Sequence, residues 1–336
     1  MNKKKVLITG ITGMVGSHLL DYILENSKLD VYGLIRWRSS LENINHHLPL
    51  INKNKRIFLE YGDLRDNIVI DGIVKKIKPD LVFHLAAQSF PLISFESPIE
   101  TYQTNIIGTE ILLRALKNHQ PHSKILVCSS SEVFGKVPSE QIPIKEDCSF
   151  HPASPYAISK VGTDLIARHY SEAYNMLIVS TRMFTHTGPR RGDVFAESSF
   201  AKQIAMIERG MIEPTIKTGN LDSLRTWADV RDAVRAYYML LVNNPRKGEY
   251  YNIGGDYTCK IGEMLDFLIS QSTYKNIKII QDKNRLRPVD ADLQIPDLNK
   301  FKSHTGWEPK ITFQETMIDL LNYWREKVKE KNFLDR

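Results

Sequence analysis

Apolar residues in the first half of the chain fall into short unbroken runs, separated by longer stretches in which they recur every three or four positions. The runs are Val6-Leu7-Ile8, Val31 to Ile35, Ile57-Phe58-Leu59, Leu81-Val82-Phe83, Ile125-Leu126-Val127 and Leu177-Ile178-Val179; the periodic stretches include Met14 to Glu25, Pro98 to Leu116 and Pro155 to Tyr174. A strand that is apolar throughout has to be covered on both faces, and a helix with one apolar stripe covers one of them. Their alternation predicts an α/β protein, a doubly wound parallel sheet with helices on both sides.

The character changes near Arg182, and from about Arg190 the chain is punctuated by Gly188-Pro189, Gly192, Pro214, Gly219, Pro245, Gly254-Gly255 and Pro288. Such breaks shorten the elements and suit a smaller C-terminal α/β lobe for substrate. The expected division is residues 1–183 for the sheet domain and mainly 184–336 for the lobe, with some chain returning to the sheet. No repeat is visible at a period of about 20–50 residues.

Composition narrows the class. With 336 residues, 42% hydrophobic and 25% charged, the chain can bury a sizeable core, which excludes a disordered protein or a small stapled scaffold. The net charge of +6 is partly terminal, in Lys3-Lys4-Lys5 and Arg325 to Lys331, and no internal basic run is interleaved with aromatics, so no nucleic-acid partner is expected. Cys128, Cys148 and Cys259 are odd in number and far apart, which argues against disulfides or a zinc knuckle and fits a reducing cytoplasm. No window reaches the roughly 18 apolar residues of a membrane span, and Val6 to Ile8 runs into glycines rather than an export signal. A soluble, unexported protein with no membrane partner is expected. His46-His47 lies in a polar stretch with no carboxylate or third ligand at metal spacing, so surface histidines and no metal are expected. Cys128, at the end of an apolar run, is expected to be a buried structural thiol.

The first strand runs into Thr9-Gly10-Ile11-Thr12-Gly13-Met14-Val15-Gly16, which opens the first helix. Glycines at Gly10, Gly13 and Gly16 let the backbone turn tightly, let a pyrophosphate approach the helix N-terminus and let helix pack on strand. Thr12, Met14 and Val15 complete this candidate dinucleotide loop. The end of the second strand reads Leu34-Ile35-Arg36-Trp37-Arg38-Ser39. An acid there would bind the ribose hydroxyl of NAD; two arginines and Ser39 instead favour the extra phosphate of NADP. Trp37 stacks on adenine or a partner subunit, or fills a local pocket. Asp63-Leu64 is placed for the adenine edge, and Leu85-Ala86-Ala87 supplies small side chains for a cofactor groove.

Tyr156 and Lys160 lie one helical turn apart and face the same side. An ammonium near a phenol lowers a pKa that starts near ~10, making the tyrosine a usable general base. Ser129-Ser130-Ser131-Glu132 ends a strand in the same chain, and a hydroxyl at Ser130 would bond the substrate oxygen that Tyr156 deprotonates.

With these motifs the chain resembles an extended short-chain dehydrogenase/reductase of the epimerase/dehydratase family. Within it the likeness is to the group of GDP-mannose 4,6-dehydratases and GDP-4-keto-6-deoxymannose reductases. The likeness covers nearly the whole chain, through Thr9 to Gly16, Ile35 to Ser40, Leu85 to Ser89, Ser129 to Gly135, Ser154 to Lys160, His186 to Gly192, Gly219 to Asp222 and Leu286-Arg287-Pro288. It implies a Rossmann-like sheet, NADP, and a hydride-transfer triad of Ser130, Tyr156 and Lys160. It also implies that Glu132 acts on the sugar carbon next to the carbonyl. Oxidation at C4 acidifies the C5 proton, which a carboxylate removes as C6 loses water; the alternative is an NADPH-dependent reductase or epimerase of a 4-keto sugar. A binding protein without chemistry would show a broken triad, and this triad is intact.

By the same resemblance, Ser89, Ser131, Thr185, Arg190, Arg225 and Arg287 contact a GDP-sugar, with Arg225 and Arg287 on the diphosphate and ribose. The Arg190-Arg191 loop reaches a neighbouring subunit in the dehydratases. A homodimer or homotetramer is implied, assembled through the stretches Pro98 to Leu116 and Pro155 to Tyr174. The chain departs from the pattern in having Ser130 where the dehydratases usually have threonine and Thr185 where asparagine is common, which leaves the sugar open among mannose, a manno-heptose and an N-acetylated hexose.

Overall fold

The structure is a computed structural model and describes residues 3–289 and 293–330. Lys331, the last residue of the basic C-terminal stretch, lies outside the described residues. Thirteen strands are assigned among them: β1 Lys5–Thr9, β2 Asp30–Ile35, β3 Ile57–Tyr61, β4 Leu81–His84, β5 Lys124–Cys128, β6 Ile178–Met183, β7 His186–Thr187, β8 Thr215–Thr218, β9 Leu224–Asp229, β10 Tyr250–Ile253, β11 Tyr257–Lys260, β12 Lys278–Gln281 and β13 Leu293–Gln294.

Seven of these form one parallel sheet in the order β10-β6-β5-β4-β1-β2-β3. Its strands are apolar throughout because alternate residues serve opposite faces. Val6, Ile8, Phe83, Leu126 and Val179 enter one core, which the helices Met14–Asn26 and Val230–Val242 cover; Leu7, Val82, Ile125, Val127 and Ile178 enter the other, beneath Asn67–Ile77, Gly108–His119 and Pro155–Ala173. The chain reverses direction across the sheet between β1 and β4, and such a switch point opens a crevice at the carboxyl ends of the strands.

Two elements differ from the sequence pattern for identifiable reasons. β6 begins one residue later than expected and runs on through Arg182, whose charge reads as a strand end. The guanidinium is buried and paired in parallel with the buried Asp164 (Nε to Oδ2 2.9 Å, Nη2 to Oδ1 3.2 Å), with the rings of Phe150 and Tyr250 against its faces. The stretch expected as one helix from Pro98 to Leu116 extends to His119 and contains a π-helical turn over Gln103–Ile107.

The second half contributes to both bodies. Helix Val230–Val242 and strand β10 join the large sheet. The remainder forms a lobe in which β9 pairs with β7, β11 and β13, β8 pairs with β12, and the helices Ala196–Glu208, Ile261–Ser270 and Phe313–Glu330 enclose a separate apolar core. Among the described residues no helix is long and apolar enough to cross a membrane.

Candidate active site

A cavity of about 1360 Å³ lies between the carboxyl edge of the sheet and the second lobe. Every residue expected at the site lines it except Arg38, which is exposed beyond its edge. Trp37 is 81% exposed beside Tyr61, with ring centroids 5.0 Å apart, and fills no pocket.

The glycine loop is shaped by close backbone approach. Gly10 has φ +76°, and a Cβ there would sit 2.9 Å from the backbone of Ala86; a Cβ on Gly16 would sit 2.2 Å from the carbonyl oxygen of Gly10. Helix Met14–Asn26 therefore starts directly against β1, and its N-cap, Gly13, has no side chain to bond the first amides. That uncapped end faces the cavity and is a ready anion site, so the cradle fits a dinucleotide pyrophosphate. Thr9 Oγ1 accepts from the amides of Leu85 (3.2 Å) and Ala86 (3.1 Å), which holds the second side of the groove. At the adenine end, Arg36 and Ser39 line the cavity, and the Ser39 hydroxyl accepts from the Arg36 amide at 3.1 Å. These are the residues that would hold the adenosine phosphate of NADP.

Helix Pro155–Ala173 begins at Ser154, whose Oγ caps the Ala157 amide at 3.0 Å, with Pro155 in the first turn. This start buries Tyr156 and Lys160 on the cavity side. The phenol hydrogen-bonds Ser130, while burial pushes its pKa well above the usual tyrosine value. The expected lowering by Lys160 is not found: its Nζ donates to the Cys128 carbonyl at 2.7 Å and stands 6.0 Å from the centroid of the Tyr156 ring. A backbone carbonyl takes the ammonium's shortest bond, and the desolvation of the phenol dominates. Cys128 is likewise not the buried thiol expected; it is half-buried, lines the cavity and has its Sγ 3.4 Å from the Tyr237 hydroxyl.

Glu132 sits in a short turn capped by Ser130, whose Oγ accepts from the Glu132 amide at 3.2 Å. Its carboxylate pairs with Arg287 at 3.7 Å. Around the rest of the lobe wall the cations are matched by acids: Arg191 with Glu197 at 3.0 Å, Lys202 with Asp193 at 3.0 Å, and Arg190 with Asp21 at 2.7 Å. His186 is half-buried with its Nδ1 3.1 Å from the Phe184 carbonyl oxygen, and desolvation, reinforced by Arg191, lowers its pKa to about 4.

Two positioning groups were missed in the sequence. Asn105, in the π-helical turn, donates to the Gln88 carbonyl (2.9 Å) and Ser159 Oγ (2.8 Å) and accepts from the Gln88 amide (2.8 Å), tying the loop after β4 to the helix of Tyr156. The available signal was an amide on the buried stripe of a helix. Asn43 lines the cavity and donates to the Thr12 carbonyl at 2.9 Å. The expectation that no carboxylate approaches His46-His47 is also overturned, because Asp21, distant in sequence, contacts both rings.

A glycine cradle at the switch point and a serine, tyrosine and lysine at one cavity wall define an extended short-chain dehydrogenase/reductase. The solved structure of RMD from Pseudomonas aeruginosa complexed with NADPH superposes with a TM-score of 0.80 at 28% identity, over 97% of this chain and 100% of that one. The family model for GDP-mannose 4,6 dehydratase matches residues 7–320, and the chain belongs to that family. The chain is 32% identical to a GDP-mannose 4,6-dehydratase of Yersinia enterocolitica, over 95% of this chain and 93% of that protein. It is 29% identical to a GDP-6-deoxy-D-mannose reductase of Pseudomonas aeruginosa, over 98% of this chain and 99% of that protein.

Proposed function

We propose that the protein is an NADP(H)-dependent GDP-sugar 4,6-dehydratase, a lyase that yields a 4-keto-6-deoxy sugar. The observation that carries this is the position of Glu132: a half-buried carboxylate lining the same cavity as Ser130, Tyr156 and Lys160. When bound, NADP(H) supplies the hydride acceptor and donor. Tyr156, bonded to Ser130, takes the proton of the C4 hydroxyl as the phenolate, a form that the positive charge of oxidised NADP would favour against burial; C4 stays a ketone in the product, and Lys160 holds the Tyr156 helix to the end of β5 through the Cys128 carbonyl. Glu132 takes the C5 proton, made acidic by the C4 ketone, and passes it to the C6 hydroxyl, which departs as water; the hydride removed from C4 would return to C6 and a proton to C5, giving the 4-keto-6-deoxy sugar. Ser89, Ser131, Thr185, Arg190, Arg225 and Arg287 bind the GDP-sugar, and the arginines suit phosphate because their forked donors pair with two oxygens.

Residues 1–183 then serve mainly the cofactor and 184–336 mainly the nucleotide sugar, in a cytoplasmic homodimer or homotetramer. The exposed Ile99, Ile107, Ile158 and Leu165, on the two helical stretches named for assembly, support that oligomer.

The test incubates purified protein, without added cofactor, with GDP-, CDP-, UDP- and dTDP-hexoses and GDP-heptose and reads product mass. Loss of one water from one GDP-sugar is expected. Gain of two hydrogens on a 4-keto sugar, and only when NADPH is supplied, would make the protein a reductase instead, as its likeness to the Pseudomonas enzyme allows.

A further inference from the structure

Away from the chemistry of the cavity, three side chains from two elements converge on one point. Asp21 lies on helix Met14–Asn26, and His46 and His47 end the turn Glu42–His47. Both imidazoles direct Nε2 at the same carboxylate oxygen, Asp21 Oδ1, at 3.0 Å for His46 and 2.6 Å for His47. The two rings lie side by side, 4.1 Å between centroids, and the three donor atoms are all within 4.8 Å of one another.

We propose that Asp21, His46 and His47 form a site for a divalent transition-metal ion of the zinc class. Two imidazole nitrogens and one carboxylate oxygen suit Zn²⁺, Co²⁺ or Ni²⁺, whereas Mg²⁺ and Ca²⁺ seek shells of oxygen. Bonds of about 2.0–2.2 Å set tetrahedral ligand atoms roughly 3.3 Å apart, so small side-chain rotations turn the present cluster into three ligands. The other carboxylate oxygen, Oδ2, accepts from Arg190 Nη1 at 2.7 Å. An outer donor of this kind orients the carboxylate while leaving Oδ1 to the ion, as the hydrogen-bonded carboxylates of metal sites do. The His46 side chain is 43% exposed, which leaves water access to a fourth position.

An ion here would act as a clip. It joins the turn that carries Asn43, itself bonded to the dinucleotide loop at Thr12, to the first helix and, through Arg190, to the loop Gly188–Gly192. The cofactor side and the lobe side of the cavity share this one node. The site stands independently of which sugar the enzyme takes.

The experiment strips the tag-free full-length protein with a chelator and titrates it with Co²⁺ and then Zn²⁺, reading visible absorption, heat and thermal unfolding. The expected result is one ion per chain, a tetrahedral Co²⁺ band displaced by Zn²⁺, and a higher melting temperature with metal. His46→Gln and His47→Gln together should weaken binding at least about tenfold and abolish the band. His46→Gln alone alters a half-exposed side chain and should itself weaken binding, so the result does not hinge on folding of the double variant. No saturable uptake near one ion per chain, or uptake unchanged in the double variant, overturns the proposal.

Discussion

The sheet wall of the cavity, around Gly10 to Gly16 and Leu85 to Ala87, is formed largely by backbone and glycine, whereas the lobe wall carries several cations paired with acids, as in Arg191 with Glu197 and Lys202 with Asp193. The first recognises by shape: a single Cβ at Gly16 meets the Gly10 carbonyl at 2.2 Å. The second offers charge, and its ion pairs hold long cationic side chains in place at the cavity. Cofactor and substrate both carry a diphosphate. On the proposed reading, the difference teaches that the first is expected at amides of a helix end and the second at arginine forks.

The largest effects should come where the walls meet. Tyr156→Phe removes the group assigned to move the C4 proton, and dehydration should fall about 10²–10⁴-fold in a steady-state assay. Glu132→Gln should cost about 10²-fold or more in water elimination. It should leave C4 oxidation intact, so reduced cofactor accumulates and is seen by absorbance; full elimination by this variant would remove the assigned role of the carboxylate.

Breaking each wall alone should separate the two ligands. Gly16→Ala forces the helix start away from β1 at a cost of about 1–3 kcal/mol, so NADP(H) affinity should drop roughly tenfold or more while GDP affinity holds. Arg225→Ala should do the reverse, weakening GDP about tenfold and flattening the salt dependence of its binding. Equal losses of both ligands in either variant would show that the walls do not act separately.

The smallest effect is a pH dependence shared by both walls. His84, buried under the sheet wall, has its pKa lowered to about 3 by burial and then by Lys160, and His186 in the lobe wall is lowered to about 4. Unfolded histidine protonates near ~6.5, so below that pH the unfolded chain binds protons that the folded one refuses. Stability should be level above about pH 6.5 and fall as pH drops towards the folded values, with a shallower slope in His84→Asn, measured by thermal unfolding.

The strands of the large sheet were legible because a strand covered on both faces has to be apolar at every position. Tyr156 and Lys160 were legible because their spacing is local, one turn of one helix. Arg182 misled as a strand end because its partner Asp164 lies on another element, and Asn105 was overlooked because Gln88 and Ser159 are brought to it only by packing. The Lys160 ammonium shows the same limit: its position in the helix was readable, its bond to the Cys128 carbonyl was not.

By itself, then, the sequence determined the alternation of strand and helix, the glycine cradle and the placing of Tyr156 and Lys160 on one face of a helix, all of which depend on residues close to one another along the chain. The tertiary structure alone decided which cation meets which acid, that burial rather than Lys160 sets the direction of the Tyr156 phenol's pKa, and that Asp21 closes on His46 and His47. Those outcomes depend on through-space distance and on exclusion of water, and neither is written in the spacing of residues along a chain.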